Sequence, residues 1–135
     1  MVSIAPDKSV VFRTTDLIKI YQMGEVQMHA LRGIDLELYA GKMVVLLGTF
    51  DSGESTFLNI LSGLDIPTAG QVSYLGSDLT QASEREMTDY RRYHIGFAFQ
   101  FYSLIPSLTA RENVTVVTEI SRNSYPPKLI RQVTL

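Results

Sequence analysis

The residues best suited to chemistry lie between Val44 and Thr56, in the stretch VVLLGTFDSGEST. Gly48 ends an apolar run, and Gly53 follows five residues later, directly before Glu54, Ser55 and Thr56. A phosphate-binding loop has this spacing: glycine, four residues, glycine, lysine, then serine or threonine. Its backbone N–H groups form an anion-binding nest at the start of a helix. The spacing therefore indicates phosphate chemistry, with Ser55 placed to coordinate Mg²⁺ and Thr56 to contact phosphate.

Glu54 occupies the position that lysine holds in such a loop. Two unit charges ~4 Å apart at an effective dielectric near 20 interact by roughly 4 kcal/mol, so a carboxylate pointing inward repels phosphate strongly. Asp51 adds a second negative charge, and the D-x-x-E spacing of Asp51 and Glu54 matches a helix capping pair. Two interpretations follow. Either the loop caps its own helix and occupies its own anion site, or phosphate binds while Glu54 turns toward solvent.

Strands are predicted on the N-terminal side of this loop. β-branched and aromatic residues dominate 10–21, and apolar residues alternate with polar ones from Ile34 to Leu38, as in a half-buried strand. Turns are expected at Gly24-Glu25 and at 40–42. The run MVVLL at 43–47 lacks alternation and predicts a strand covered on both faces, as in parallel sheets.

Helical periodicity begins after Gly53. Apolar residues at helical spacing predict a largely buried helix, ended by Gly63, Asp65 and Pro67; the apolar positions are Phe57, Leu58, Ile60, Leu61 and Leu64. A short strand is expected at 70–76 and another at 94–100. A Ser83/Glu86 capping box predicts a helix to about Arg92, and a further helix is expected to start near Thr109.

Composition sets the broad class of protein. The 135 residues suit one domain, and a formal net charge of −2 gives no electrostatic reason to expect a nucleic-acid partner. The chain has no cysteine, and its two histidines, His29 and His94, lack metal-ligand spacing, so a zinc site is not expected. No apolar run approaches the ~20 residues of a membrane span, and the N-terminus does not have the pattern of a signal peptide. A cytoplasmic protein is the expectation.

Several segments, in matching order and spacing, resemble the N-terminal half of an ABC-transporter ATP-binding subunit of the lipoprotein-releasing and macrolide-exporter type. They are the loop at 48–56 and the stretches IKIYQMGEVQMHALRGIDLEL, LNILSGLDIPTAGQV and MTDYRRYHIGFAFQFYSLIPSLTARENV. The resemblance implies an α/β, P-loop NTPase-like fold: an antiparallel β subdomain plus an incomplete RecA-like core. It implies a loose N-terminus over 1–9 and a truncated ATP-binding domain over 10–135.

The same resemblance implies roles for individual residues. Tyr21 falls on the aromatic that stacks on adenine, although sheet packing is the simpler interpretation of a tyrosine at a strand end. Gln100 falls on the Q-loop glutamine, which contacts Mg²⁺ and the attacking water, although an isolated glutamine after a strand is ordinarily a turn residue. The residues matching the phosphate loop are Gly48, Ser52, Gly53, Glu54, Ser55 and Thr56, with Ser55 and Gln100 as the Mg²⁺ ligands. The apolar residues matching the permease contact are Phe101, Tyr102, Leu104 and Ile105, for which core packing is an equal alternative.

The chain departs from the family pattern in ways that bear on activity. Thr49, Phe50, Asp51 and Glu54 replace four loop residues, and Asp51 stands where a glycine lets backbone approach phosphate. The family's LSGGQ-type signature, Walker B aspartate, catalytic glutamate and switch histidine have no counterpart in the 135 residues. We therefore expect ATP and Mg²⁺ as the family's cofactors, with weakened binding, and no hydrolysis by this chain alone.

Three functions remain open at this point. One is an ATP-binding subunit for transport or export, held at the inner or plasma membrane by a permease subunit and paired with a second ATP-binding subunit. The others are a catalytically inactive adaptor that docks a permease, and a truncated relic without activity.

Overall fold

The structure, a computed structural model, describes residues 9–49, 53–98 and 104–120, with side chains of the last helix described as far as Val116. The chain divides into two compact units, Met1–Met87 and Thr88–Leu135. The first unit contains the sheet and the helix that follows the loop, and it therefore contains most of the predicted site.

The first unit is built on a four-stranded antiparallel sheet in the order β2-β1-β3-β4. The strands are β1 (Val10–Met23), β2 (Val26–Tyr39), β3 (Ala69–Tyr74) and β4 (Ser77–Asp78). The predicted first two strands, the turn between them and the strand at 70–76 are confirmed. β1 and β2 are long because β-branched and aromatic residues favour strand and Gly24, at φ 62°, closes the hairpin.

A β-bulge at Asp16 changes which side chains of β1 face the core. β1 gains one residue relative to β2 between Thr14 and Leu17, and Asp16 has φ 45°. Thr14 and Leu17 are both buried although they are an odd number of residues apart. Beyond the bulge the alternation resumes, and it turns Lys19 inward with Leu17.

The core lies between the sheet and α1 (Glu54–Leu61), and its members come equally from both. The buried residues are Leu17, Leu31 and Val72 from the strands, and Phe57, Ile60 and Leu61 from the helix. The predicted helix is confirmed, but Leu58 and Leu64 are exposed rather than buried. A helix lying on one sheet buries only one stripe, so Leu58, next to Phe57 in sequence, points away.

Gly63 ends α1, as predicted. With φ 74° it takes the left-handed conformation, its N–H donates to Ile60 O at 3.0 Å, and Leu64 N–H donates to Asn59 O at 2.8 Å. These two bonds form a Schellman motif, which satisfies the last carbonyls of the helix. The chain then turns back along β1, where Thr68 N–H donates to Ile18 O at 2.8 Å.

Two predicted strands are wrong. Residues 42–48 are not in a strand, and Met43 and Leu47 are 95% and 90% exposed; only Leu46 packs against the core. Residues 95–98 of the predicted 94–100 strand are likewise irregular, and His94 belongs to a helix. A strand needs a neighbour for its backbone N–H and C=O groups, and none of the described strands pairs with either segment.

Two further helices confirm the remaining predictions. α2 (Glu84–His94) begins with the predicted capping box: Ser83 N–H and Oγ donate to Glu86 Oε2 at 2.8 and 2.6 Å. α3 (Ala110–Ile120) begins in the same way, since Thr109 N–H and Oγ1 both donate to Glu112 Oε2 at 2.7 Å. These hydrogen bonds lower the pKa of both glutamates. Among the helices that the structure describes, none combines the length and apolar character needed to span a membrane.

Candidate functional site

Gly53 sets the position of the helix start in the predicted phosphate loop. It is the N-cap of α1, with φ 85° and ψ 11°, and its carbonyl accepts the first helical hydrogen bond from Phe57 N–H at 2.8 Å. A Cβ added at Gly53 would lie 2.3 Å from Ala30 O. Both the left-handed conformation and the contact with β2 therefore require glycine, and together they seat the helix N-terminus against the sheet.

The helix start does not match the predicted capping pair of Asp51 and Glu54. The N-cap is Gly53, with no side-chain capping hydrogen bond, and Glu54 is the first helical residue rather than the third. A capping-box glutamate has to reach back from the third position, so Glu54 is two positions too early. The predicted capping box is therefore wrong in its geometry, and the interpretation that the loop occupies its own anion site stays a prediction. Asp51 and Ser52 lie outside the described residues.

Ser55 and Thr56 follow Glu54 in the first turn of α1. Ser55 is exposed, whereas Glu54 and Thr56 are half-buried. The first turn of a helix directs N–H groups away from the helix body and carries partial positive charge, which favours an anion. The predicted hydroxyl residues are thus at a helix N-terminus, as phosphate binding requires.

A cleft of about 290 Å³ lies beside this helix start. Gly48, Gly53 and Glu54 form part of its wall, and the rest is apolar, formed by Leu31, Ile34, Leu36, Leu46, Leu47 and Phe57. Apolar walls are less polarisable than water and strengthen a charge interaction beside them. The charge at Glu54 therefore has a larger effect on an anion here than it would on an open surface.

Tyr21, predicted to stack on adenine, is held by two charged residues. Its hydroxyl donates to Asp65 Oδ2 at 2.7 Å, and the Lys19 ammonium lies over its ring, 4.8 Å from the centroid. Lys19 Nζ also donates to Asp65 Oδ1 at 2.6 Å and to Ile66 O at 2.7 Å. Tyr21 itself is half-buried. The ring has the fixed orientation that a stacking surface needs.

Asp65 is ionised within this cluster. Burial raises its pKa, but hydrogen bonds from Lys19, Tyr21 and Ile66 N–H, together with the Lys19 charge, outweigh burial and hold the pKa below its usual value. Lys19 is only 9% exposed, so its charge needs this partner. Asp65 thus neutralises Lys19 and orients Tyr21 at once.

The second unit contains the region after the predicted Q-loop glutamine. Gln100, Phe101 and Tyr102 lie outside the described residues. Leu104 and Ile105 are 61% and 46% exposed, which argues against core packing as their role in this unit. Asn113 fixes the backbone of Ile105: its Oδ1 accepts from Ile105 N–H at 2.7 Å, and its Nδ2 donates to Ile105 O at 3.2 Å.

Sequence reasoning missed Lys19 and Asn113 as structural residues and treated Asp65 only as a helix stop. One signal was present for Lys19, because it shares the inward alternation of Leu17, and a lysine at a buried position requires a paired carboxylate. No local pattern identified Asp65 as that carboxylate. Ser55 and Thr56 are where the spacing placed them.

Known proteins match this chain over most of its length. The model of the ABC transporter family matches residues 31–134. The lipoprotein-releasing system ATP-binding protein LolD of Psychrobacter arcticus is 41% identical over 108 residues, which cover 80% of this chain and 48% of LolD. The macrolide export ATP-binding/permease protein MacB of Marinobacter nauticus is 42% identical over 101 residues, covering 75% of this chain and 16% of MacB.

A solved structure has the same fold. The ATP-binding cassette MJ0796, in a dimeric post-hydrolysis state bound to ADP and Pi, superposes with a TM-score of 0.77 at 36% identity, over 90% of this chain and 53% of the cassette. This chain thus spans about half the length, or less, of the relatives it matches. The solved structure confirms the predicted α/β fold, and the similarity to LolD and MacB confirms the resemblance to the lipoprotein-releasing and macrolide-export branch. The chain therefore belongs to the ABC transporter family, as an N-terminal portion of its ATP-binding domain.

Proposed function

We propose that this chain provides the base-binding and phosphate-binding half of an ABC-transporter ATP-binding subunit whose role is ATP-driven transport or export across a membrane. The observation that carries the proposal is the close approach of Gly53 to Ala30 O, which fixes a helix N-terminus beside an open cleft. Family membership supports ATP as the nucleotide, because the ABC family binds ATP.

In this proposal the nucleotide contacts two places in the first unit. Its base stacks on Tyr21, whose ring is oriented by Asp65. Its phosphates lie at the loop between Gly48 and Thr56, where the first-turn N–H groups of α1 receive them. The two places are joined by α1 and the turn that follows it.

Mg²⁺ fits the residues at the helix start only in part. The exposed Ser55 hydroxyl is an oxygen ligand of the kind that Mg²⁺ accepts, and Gln100, the second proposed ligand, lies outside the described residues. The ion would neutralise phosphate charge. Glu54 opposes phosphate in the same place, and we propose that it weakens binding rather than abolishing it, since the base contact does not involve Glu54.

Hydrolysis by the 135 residues alone is not part of the proposal. Phosphoryl transfer needs an acidic residue on the metal and a residue that orients water, and the chain offers no counterpart of the family's groups for either role. We propose that the whole subunit works at the inner or plasma membrane, with a membrane permease subunit and a second ATP-binding subunit as partners.

A catalytically inactive adaptor is the second candidate, and one observation favours it. Leu104 and Ile105 are exposed, and Asn113 holds the backbone of Ile105, which suits contact with a permease whether or not nucleotide binds. Co-purification with a permease in the absence of nucleotide binding would support this candidate. If the chain neither co-purifies with a permease nor binds nucleotide, only the truncated relic without activity remains.

The test is a calorimetric titration of Mg-ATP into the purified chain and into Glu54→Lys. We expect Glu54→Lys to bind at least about tenfold more tightly, because repulsion becomes attraction in an apolar cleft. Glu84→Lys is the matched control, since Glu84 is also the first residue of a helix but begins α2. It makes the same charge change and should leave affinity unchanged.

Each outcome has a distinct meaning. Equal affinities for the native chain and Glu54→Lys would show that Glu54 does not face the phosphates. Binding by neither folded protein would overturn nucleotide binding and leave the adaptor.

A further inference from the structure

The segment that follows α1 forms a border along the C-terminal half of β1. The last residue pair between β1 and β3 is Ile18 with Ala69, so β3 does not continue beside Lys19, Ile20 and Tyr21. The turn at 65–68 takes that place. Thr68 Oγ1 accepts from Ile20 N–H at 3.0 Å, and Ile66 O accepts from Lys19 Nζ at 2.7 Å.

Asp65 bridges this border and the tyrosine ring. Its Oδ1 accepts from Lys19 Nζ at 2.6 Å and from its neighbour's N–H, that of Ile66, at 2.8 Å, and its Oδ2 accepts from the Tyr21 hydroxyl at 2.7 Å. Both carboxylate oxygens are therefore committed to fixed donors. The hydroxyl oxygen lies on the axis about which the ring turns, so this hydrogen bond fixes the direction of the side chain and leaves the plane of the ring to other contacts.

Lys19 adds a second restraint from one side of the ring. Its ammonium lies 4.8 Å from the Tyr21 centroid, within the distance of a cation–π contact. Lys19 and Tyr21 are two residues apart on one strand, so both side chains project from the same face of β1. The ammonium thus occupies one face of the ring, and because the attraction is to the ring face it restrains the plane of the ring, which the hydroxyl hydrogen bond leaves free.

We propose that Asp65 and Lys19 are positioning residues for base binding: they hold the Tyr21 ring in a fixed orientation so that an adenine base stacks on it without the ring first having to be ordered. This rests on the proposed function, because Tyr21 must be the base-stacking residue. A ring that is already ordered loses no rotational freedom when a ligand binds, and the ligand's affinity is higher for that reason. The effect is confined to the part of affinity that comes from the base.

The experiment measures base-dependent affinity in the full chain. AMP and ribose 5-phosphate differ only in the base, so the ratio of their dissociation constants isolates stacking. Both are titrated by NMR, with the ring protons of Tyr21 followed for the upfield shift that a stacked base causes. The native chain should bind AMP about five- to a hundredfold more tightly than ribose 5-phosphate, the range that base–aromatic stacking gives.

Two variants test the positioning itself. Asp65→Asn keeps the shape of the side chain but leaves one acceptor oxygen where Lys19 and Tyr21 each use one, and Tyr21→Phe keeps the ring but removes the hydroxyl. Each should reduce the ratio about three- to tenfold, as loss of one hydrogen bond predicts, while ribose 5-phosphate binds as before. The double variant should lose no more than the larger single loss, because both changes remove the same bond. Asp78→Asn, a carboxylate on β4 that accepts from Thr80, is the control and should leave the ratio unchanged.

Failure of the positioning role and failure of the proposed function give different results. An unchanged ratio in folded Asp65→Asn, or additive losses in the double variant, would overturn positioning while nucleotide binding stands. A native ratio near one, with both ligands bound, would overturn both Tyr21 stacking and positioning but leave the phosphate site. If neither the native chain nor Glu54→Lys binds either ligand, the proposed function fails and this inference fails with it.

Discussion

At the scale of single residues, Gly53 combines two demands, a left-handed backbone and the close approach of another strand's backbone, as Gly70 also does beside Asp16. Its φ of 85° is costly for any residue with a Cβ, and a Cβ there would also collide with Ala30 O. Gly76 has nearly the same φ, 82°, but nothing within 4 Å of an added Cβ. The two positions therefore allow the cost of conformation to be separated from the cost of the collision.

We expect Gly76→Ala to lower the free energy of unfolding by about 1–2 kcal/mol, the cost of the left-handed conformation. Gly53→Ala should lower it by a further 1–3 kcal/mol or so, because the backbone of β2 must shift. Urea unfolding of both variants measures the difference. Equal losses would show that the contact between Gly53 and Ala30 is not tight in solution.

Asp65 makes a prediction about pH. Its folded pKa lies below the unfolded value, so folding favours the ionised carboxylate. Its contribution to stability is complete above the unfolded pKa of about 3.9 and is lost as the pH falls through the folded pKa. Asp65→Asn should therefore cost about 1–3 kcal/mol at neutral pH and little well below pH 3.9. Chemical unfolding of both proteins across this range checks the convergence; a constant difference would contradict it.

At the scale of elements, Asn113 connects the start of α3 with the exposed residues before it. Its side-chain nitrogen donates to Leu108 O and Thr109 O as well as to Ile105 O, so one amide closes the turn at 105–109. The turn presents Leu104 and Ile105 through backbone bonds rather than through side-chain packing.

We expect Asn113→Ala to loosen this turn without unfolding the protein. The amide of Ile105, which donates to Asn113 Oδ1, should exchange with solvent at least about tenfold faster. Asn59→Ala, a change at an exposed asparagine within α1, is the control. Hydrogen exchange read by NMR would contradict the role of Asn113 if Ile105 exchanged equally in both variants.

Local patterns predicted the elements that depend on local interactions. The hairpin of β1 and β2, α1 with its glycine end, and the Ser83 capping box all follow from residues within a few positions of one another. The strand expected at 43–47 did not form. A strand needs a partner strand from another part of the chain, and a local pattern carries no information about that partner. Lys19 and Asp65 are 46 residues apart in the sequence, and only the folded chain brings them together.

At the scale of the whole molecule, the segment at 43–47 leaves apolar side chains exposed. Val45 is 69% exposed, and Met43 and Leu47 are more exposed still, whereas Leu46 packs against the core. An apolar segment whose backbone pairs with none of the described strands favours self-association.

We expect Val45→Lys to reduce concentration-dependent association and to change stability by less than about 0.5 kcal/mol. Leu46→Lys is the contrasting variant and should lower the free energy of unfolding, because it places a charge against the core. Sedimentation at several concentrations, together with urea unfolding, measures both effects. If Val45→Lys associated as strongly as the native chain, a surface other than the segment at 43–47 would be responsible for the association.

The two anchored ends of α1 have a consequence for ligand size. Gly53 fixes one end on β2, and the turn carrying Asp65 fixes the other on β1, with eight helical residues between them. At about 1.5 Å per residue the helix measures some 12 Å and cannot stretch. Under the proposed function, this fixed length sets the spacing between the place that receives the phosphates and the place that receives the base. A ligand whose two ends are spaced too closely or too widely contacts only one of them. Selection by length thus follows from the distance between the helix N-terminus that receives the phosphates and the Tyr21 ring that Asp65 orients.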